Sequence, residues 1–335
     1  MESKIMSKNL TLTSVIGVGN ALIDVIAQMK EDSLLATFGL PRGSMTLVDS
    51  NLSEKINAAT QNCKKEISTG GSAANTIRSL ASLGAECGYL GKIGNDEFGK
   101  IFKNEFEKRG IKTHLVIGDQ GTGKVMGLVS PDSERTMATF LGAAADLIPG
   151  DFDSSIFENY DCLYMEGYLV QNHDLIRTGL EKAKAAGQIT AIDLASYNVV
   201  EANLSFLKDL IKNSVDIVFA NEEEAKALTG KEPDEALDEI AENCELAIVK
   251  LGKQGSIIKR GNKKYKVNST KADAIDTTGA GDSYAAGFLY GLIQGYDLEK
   301  CGRIAALVSG KVVEVMGANL PDSAWEEINE KISKM

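Results

Sequence analysis

The string Asp276-Thr-Thr-Gly-Ala-Gly-Asp282 runs straight into the apolar stretch SYAAGFLYGL. Two glycines at a helix start let successive backbone amides face one point, and those N–H groups have no partner inside the helix. Together with the helix dipole they make an anion site. Asp282 stands at its mouth. A carboxylate there cannot receive the anion, but it can take a proton from a hydroxyl that attacks a phosphoryl group. A plainer reading of the same residues is a turn with Asp282 as helix cap.

Two further strings carry the same kind of chemistry. In Thr69-Gly70-Gly71-Ser-Ala-Ala-Asn75 the glycines let backbone approach a ligand closely. Asn75 lies one turn into the following helix, toward the same cleft. Asn221-Glu-Glu-Glu224 follows the apolar run VDIVFA. Acids suit the first turn of a helix, and they also suit Mg²⁺, which keeps several waters and needs few direct carboxylates. Two other glycine strings look like phosphate loops and are set aside. Gly118-Asp-Gln-Gly-Thr-Gly-Lys124 fits GxxxxGK, but Val125 follows where a Walker loop needs Ser or Thr, and the next residues are strand-like. Gly17-Val-Gly19 opens like a dinucleotide fingerprint, but Leu22 replaces the third glycine. A nicotinamide dehydrogenase is thus the lesser enzyme reading.

The elements that must hold these strings alternate. Ser14–Gly19, Cys162–Met165, Ile189–Leu194, Val215–Ala220 and Leu246–Leu251 read as core strands. Gly71–Leu83, Asp174–Ala186, Glu222–Leu228 and Ser283–Gln294 read as helices between or after them. That rhythm predicts an α/β fold, a mostly parallel sheet covered on both faces. Val25–Asp49 and His114–Phe140 break it with alternating strands such as Gly43–Val48 and Val125–Val129, the latter followed by the turn Ser130-Pro-Asp-Ser. They read as a small β lid inserted in one domain, formed by about residues 25–49 and 112–141. Gly287 and Gly291, four apart, read as a helix-packing contact.

Composition narrows the partners. Asp plus Glu number 47 and Lys plus Arg 36, for a net charge of -11. A nucleic-acid binder would want a basic stripe instead. No run approaches the roughly 20 apolar residues of a membrane helix, and MESKIMSKNLTLTS lacks the apolar segment of a signal peptide. A cytoplasmic protein is the expectation. Five scattered cysteines without a CxxC indicate neither zinc nor a disulfide framework, and two distant histidines exclude a multi-histidine metal centre.

The full string Asp276–Asp282 resembles the C-terminal signature of the PfkB, or ribokinase-like, carbohydrate and nucleoside kinases. Thr69–Asn75 resembles the family's first signature, and the likeness extends along nearly the whole chain, including TIRSLASLGAECGYLGKIGNDEFG. The resemblance implies a ribokinase-like three-layer αβα core with a β-sheet lid, ATP and Mg²⁺ as cofactors, and phosphoryl transfer to a primary alcohol. It implies an anion hole at Gly279, Ala280 and Gly281 with Asp282 as the base. It implies nucleotide contacts at Thr277, Gly252, Gly255 and Gly317, and at Asn221 and Glu224, with Glu224 reaching Mg²⁺ through water. Gly317-Ala-Asn-Leu-Pro321 also resembles the loop that holds K⁺ in potassium-dependent members, which leaves K⁺ open here. Lys250 stands where many members have Thr.

The substrate is chosen elsewhere. GVGNALID followed by MKEDSLLATFGLPRGSM resembles the opening of the family's adenosine kinases, which implies a sugar pocket at Asn20, Asp24, Gly70, Gly71 and Asn75, with Asp24 on two vicinal ribose hydroxyls. Tyr168 suits stacking on a purine, or a place in the core. Glu166 points instead toward the family's sugar kinases. Arg135 resembles the lid arginine that reaches the transferred phosphate, a task suited to a guanidinium. Met45, Met126, Met137 and Phe140 could line a base pocket or fill the lid. The expected substrate is a nucleoside, through the 5′-hydroxyl of adenosine. A ribokinase- or fructokinase-like sugar kinase is the alternative, and a non-catalytic ligand-binding regulator a remote one. The chain is expected as a monomer, or as a homodimer through the lid.

Overall fold

The computed structural model of the protein describes residues 10–132 and 134–335. Most of the N-terminal stretch read above, and Ser133 of the 130–133 turn, lie outside the described residues. In chain order the strands are β1 Ser14–Val18, β2 Leu22–Gln28, β3 Met45–Leu47, β4 Lys64–Gly70 and β5 Glu86–Gly94. Next come β6 Lys112–Gly118, β7 Thr122–Val129, β8 Arg135–Gly142, β9 Cys162–Glu166 and β10 Ile189–Asp193. The last four are β11 Ile217–Asn221, β12 Leu246–Lys250, β13 Ser256–Arg260 and β14 Lys263–Val267.

Nine of them form one sheet in the order β14-β13-β12-β11-β10-β9-β1-β5-β6. It is parallel from β12 to β6, with an antiparallel hairpin, β13–β14, at the other end. Side chains alternate across it. Val15 packs with Ile77, Phe102 and Ala305 on one face, whereas Ile16 and Val18 pack with Ile176, Leu180 and Val200 on the other. The helices Ser72–Ser82, Glu97–Lys108, Ala280–Ile293 and Leu298–Val312 cover the first face. Burying both faces is why the strands read as unbroken apolar runs. The expected ribokinase-like α/β arrangement, with a large mostly parallel sheet and a second small one, is therefore present.

The lid borders differ from the sequence reading. The small sheet has the order β3-β8-β7-β2-β4. Lys112–Gly118, expected in the lid, is the edge strand of the large sheet beside β5. Lys64–Gly70, not expected there, pairs antiparallel with β2. Its sequence KKEISTG is mostly polar because one side is solvent-facing, so it carries no apolar run. Gly118–Lys124 spans the turn between β6 and β7, as the missing Ser/Thr implied. Gly17-Val-Gly19 leads from β1 into lid strand β2 and not into a helix, which removes the dinucleotide reading. A Cβ on Gly17 would strike Ile77, and one on Gly19 would strike Glu166. Gly287 and Gly291 lie against Ala305 and Cys301 of the next helix. Among the described residues no helix is long and apolar enough to cross a membrane.

Candidate active site

Parallel strands place their carboxyl ends on one edge of a sheet, the usual home of an α/β ligand site. Here those ends deliver Asn20 just after β1, Glu166 from β9, Asp193 from β10, Asn221 from β11 and Lys250 from β12. Across from them lies the lid. Between the two is a cleft of about 1250 Å³, which the N-terminus of Ala280–Ile293 also enters.

Gly279 begins that helix at φ 73°, and a Cβ there would lie 2.4 Å from the Ala318 side chain. Only glycine takes this left-handed turn without strain while fitting so close. Gly279, Ala280, Gly281 and Asp282 all line the cleft. The Asp282 carboxylate accepts 2.7 Å from Ser72 Oγ and 3.0 Å from Asn75 Nδ2. Burial raises its pKa to about 6, against the two hydrogen bonds, which pull it down. It is thus fixed in aim and close to the range in which a carboxylate can both take and release a proton.

Asn75, expected to bind a sugar hydroxyl, lines the cleft and already makes two hydrogen bonds. Its Nδ2 serves Asp282, and its Oδ1 accepts 2.9 Å from Arg78 Nη2. Arg78 is buried and also donates to Thr69 O, Thr69 Oγ1 and Ala318 O. It ties lid strand β4, the helix Ser72–Ser82 and the 317–320 loop to one point. The sequence reading missed it. The available signal was spacing: Arg78 follows Asn75 by three, so both share one helix face.

Glu166 is likewise hydrogen-bonded. It is buried; Oε1 accepts from Asn20 N at 2.9 Å and from Asn20 Nδ2, and Oε2 from Ala73 N at 2.9 Å. It thereby satisfies the N-terminus of a helix whose cap is Gly71, which has no side chain to do so. Burial raises its pKa to about 7. Glu166 is a brace that holds Asn20 against the helix, and it also lines the cleft.

Asp24 points from lid strand β2 into the cleft. A Cβ on Gly70 would lie 2.4 Å from Asp24 Oδ1, so Gly70 makes room for that carboxylate. Burial raises the Asp24 pKa to about 6, with Arg78 and Arg135 acting in the opposite sense. Arg135, expected on the phosphate, bridges lid and loop through Nη1, while its buried Nη2 has no hydrogen-bond partner among the described residues. Its Nη1 lies 3.0 Å from Asp276 Oδ2 and donates to Thr278 Oγ1 at 3.0 Å. Asp276 also accepts from Thr278 N and from Gly317 N. Gly317 therefore shapes the loop behind the site. Thr277 is exposed, and it is Thr278 that lines the cleft.

At the other end, Asn221 and Glu224 form a reciprocal cap: Asn221 N and Nδ2 donate to the carboxylate at 2.8 and 2.7 Å, and Glu224 N donates back at 2.8 Å. Burial and then Asp193 raise the Glu224 pKa to about 7. Lys250 Nζ donates 2.6 Å to Asp193 Oδ2. Gly252 and Gly255 line the cleft edge beyond it, both at positive φ. Among the described residues no group of three acidic, histidine or cysteine side chains is set to hold a metal directly. A capped carboxylate such as Glu224 fits an ion carried mainly by nucleotide oxygens and water.

The lid face alternates with the pleat. Leu22, Val125, Met137 and Leu141 face the cleft with Met45 and Leu47, while Met126 is buried in the lid core and Phe140 lies almost so. Of the four candidates for an apolar pocket, Met45 and Met137 line it. Tyr168, partly exposed, faces the cleft from the large domain side.

Comparison with known proteins agrees with this arrangement. Residues 45–325 match the model of the pfkB family carbohydrate kinases. The structure of adenosine kinase from Sinorhizobium meliloti superposes with a TM-score of 0.85 and 35% identity, covering 95% of this chain and 99% of that one. A probable sugar kinase protein from Rhizobium etli does so at 0.85 and 32%, covering 96% and 99%. An uncharacterized sugar kinase of Archaeoglobus fulgidus is 31% identical over 246 residues, 71% of this chain and 96% of its own length. The chain is a phosphotransferase of the pfkB carbohydrate kinase family.

Proposed function

We propose that this kinase transfers the γ-phosphoryl group of ATP to the 5′-hydroxyl of a nucleoside, with adenosine as the first candidate. The observation that carries the reading is the acceptor end of the cleft. Leu47, Val125, Met137 and Leu141 of the lid line the same cleft as Tyr168, a set of apolar and aromatic surfaces suited to a planar base and wasteful for a free sugar. Asp24, in its Gly70 recess, offers two oxygens to two vicinal ribose hydroxyls. The 5′-hydroxyl then lies toward Asp282.

Asp282 takes the hydroxyl proton as the oxygen–phosphorus bond forms. The bond from phosphorus to the ADP oxygen breaks, and its electron pair leaves with ADP. The amides of Gly279–Asp282 bind the charge spread over the phosphoryl oxygens. Asn75 and Ser72 position the base. The lid excludes water, which would compete with the alcohol. Glu224 and Asn221 are the residues that would hold Mg²⁺, which would supply charge neutralisation on the nucleotide oxygens.

A sugar kinase is the second reading, favoured by the sugar kinases among the relatives. A panel of adenosine, other nucleosides, ribose, fructose and phosphosugars, each with Mg-ATP and with or without K⁺, separates them. Adenosine should exceed every free sugar in kcat/KM by about 100-fold or more. Turnover of a sugar with adenosine silent would overturn the nucleoside reading and leave the phosphotransferase intact.

A further inference from the structure

Lys250 is the one Lys or Arg side chain lining the cleft among the described residues. Five carboxylates line the cleft with it at the phosphate end: Asp193, Glu222, Glu223, Glu224 and Asp282. A polyphosphate entering there meets an excess of negative charge, and the backbone amides carry only partial positive charge. Two other basic groups lie near the site, but neither lines the cleft: Arg78 is buried against Thr69, Asn75 and Ala318, and Arg135 pairs through Nη1 with Asp276 and Thr278. Neutralisation on the protein side therefore falls to Lys250.

Its placement fits the task. Lys250 ends β12 in register with Asn221 on β11, so its side chain rises between the Asn221–Glu224 cap and the anion loop. Its Nζ lies 3.1 Å from where a Cβ on Gly281 would sit, against the same loop whose amides face the cleft. An ammonium has three N–H donors. Among the described residues Asp193 takes the only hydrogen bond it makes, which leaves two N–H groups for a ligand. Asp193 is itself locked: its Oδ1 accepts from Ala195 N, whose residue takes the strained φ of 68°. A non-glycine residue in that conformation is costly and tends to mark a functional site.

We propose that Lys250 is a catalytic residue: its ammonium donates to the phosphoryl group during transfer, alongside the Gly279–Asp282 amides. Asp193 is the positioning residue that aims it. Lys250 keeps its protons throughout; the bonds made and broken are those of the transfer above. The proposal rests on the phosphotransferase reading and not on the identity of the alcohol.

The test must separate this from a structural counter-ion role, because Lys250→Met alone leaves Asp193 buried without its cationic partner. The double variant Lys250→Met/Asp193→Asn removes both charges. If Lys250 acts on the phosphoryl group, kcat should fall by about 10²–10³-fold in the single and double variants alike, while the double variant melts near the wild type. Binding calorimetry gives a second readout without turnover. With Mg²⁺ present, the wild type should favour AMP-PNP over ADP, and both variants should lose that preference. Recovery of the double variant to within tenfold of wild-type kcat would overturn the proposal, as would an unchanged AMP-PNP to ADP ratio. If the wild type turns over none of the alcohols, the binding ratio still decides the matter. If the wild type binds neither nucleotide, the proposal and the phosphotransferase reading fall together.

Discussion

The two ends of the cleft are built on different principles. At the phosphate end nearly every polar side chain is already held: Asp282 by Ser72 and Asn75, Asn75 by Arg78, Glu224 by Asn221, Lys250 by Asp193. At the acceptor end the lid offers apolar side chains, and Met45 and Leu47 are about half exposed, at 48% and 55%. Transferring a phosphoryl group requires charges fixed before reaction, since reorganising them costs rate. Choosing an alcohol requires only a surface of the right shape and polarity. Substitutions at the first end should thus act on kcat or on folding, and those at the second on KM.

The sharpest test of that division is Asp282→Asn. It keeps the side chain's size and removes the proton acceptor, so turnover should fall by about 10²–10⁴-fold. Thermal melting should stay close to the wild type. Near-normal turnover would remove Asp282 from the base role and with it the distinction between the two ends.

The next effect is on folding. Arg78→Met deletes the donor that serves Thr69 O, Asn75 Oδ1 and Ala318 O. Each buried acceptor left alone costs about 1–3 kcal/mol, so denaturant unfolding should show a loss of several kcal/mol, and the 317–320 loop should lose protection from hydrogen exchange. A loss under about 1 kcal/mol would mean that the network is not the tie between lid strand, helix and loop.

At the acceptor end, Tyr168→Ala should raise KM for adenosine with kcat nearly kept. Base stacking on an aromatic is worth about 1–3 kcal/mol, or roughly 5- to 150-fold. Tyr168→Phe should be close to neutral. Equal KM effects on adenosine and on ribose would argue against a stacked base.

The motifs of the phosphate end were legible because the chemistry demands short contiguous strings: Gly279–Asp282 must be adjacent to aim their amides at one point. The parallel sheet was legible from its doubly buried strands. What escaped was cooperation at a distance. Asp193, Arg78 and Lys250 look like a strand end, a helix charge and a departure from the family's habit, and only the fold brings them beside Asp282. Glu166 and Asn75 were found, but residue type does not reveal the hydrogen bonds that other parts of the chain make with them. Lys64–Gly70 hid as a lid strand because its side chains are mostly polar and its one large apolar residue, Ile67, is exposed.

The smallest expected effect is also the most diagnostic of how the phosphate end is tuned. Burial raises the Asp282 pKa to about 6, and the Ser72 hydrogen bond pulls it down. A base must be ionised, so kcat/KM should fall as pH drops through about 6. Ser72→Ala removes a donor that favours the carboxylate, so the acid limb should move to higher pH, by less than about one unit, with little change at pH 8. Stability should run the other way. With Asp24 and Asp282 at about 6, and Glu166 and Glu224 at about 7, the folded chain binds more protons than the unfolded chain above pH 4. Their contribution to stability is present at low pH and is lost as pH rises through 6 to 7. The ligand-free enzyme should therefore lose stability over the window in which its activity rises, measured by denaturant unfolding at pH 5 and pH 7. A stability that rises between those two values would show that these carboxylates do not carry the cost of being buried charged. An acid limb that stays in place in Ser72→Ala would break the link between Asp282's hydrogen bonds and its work as a base.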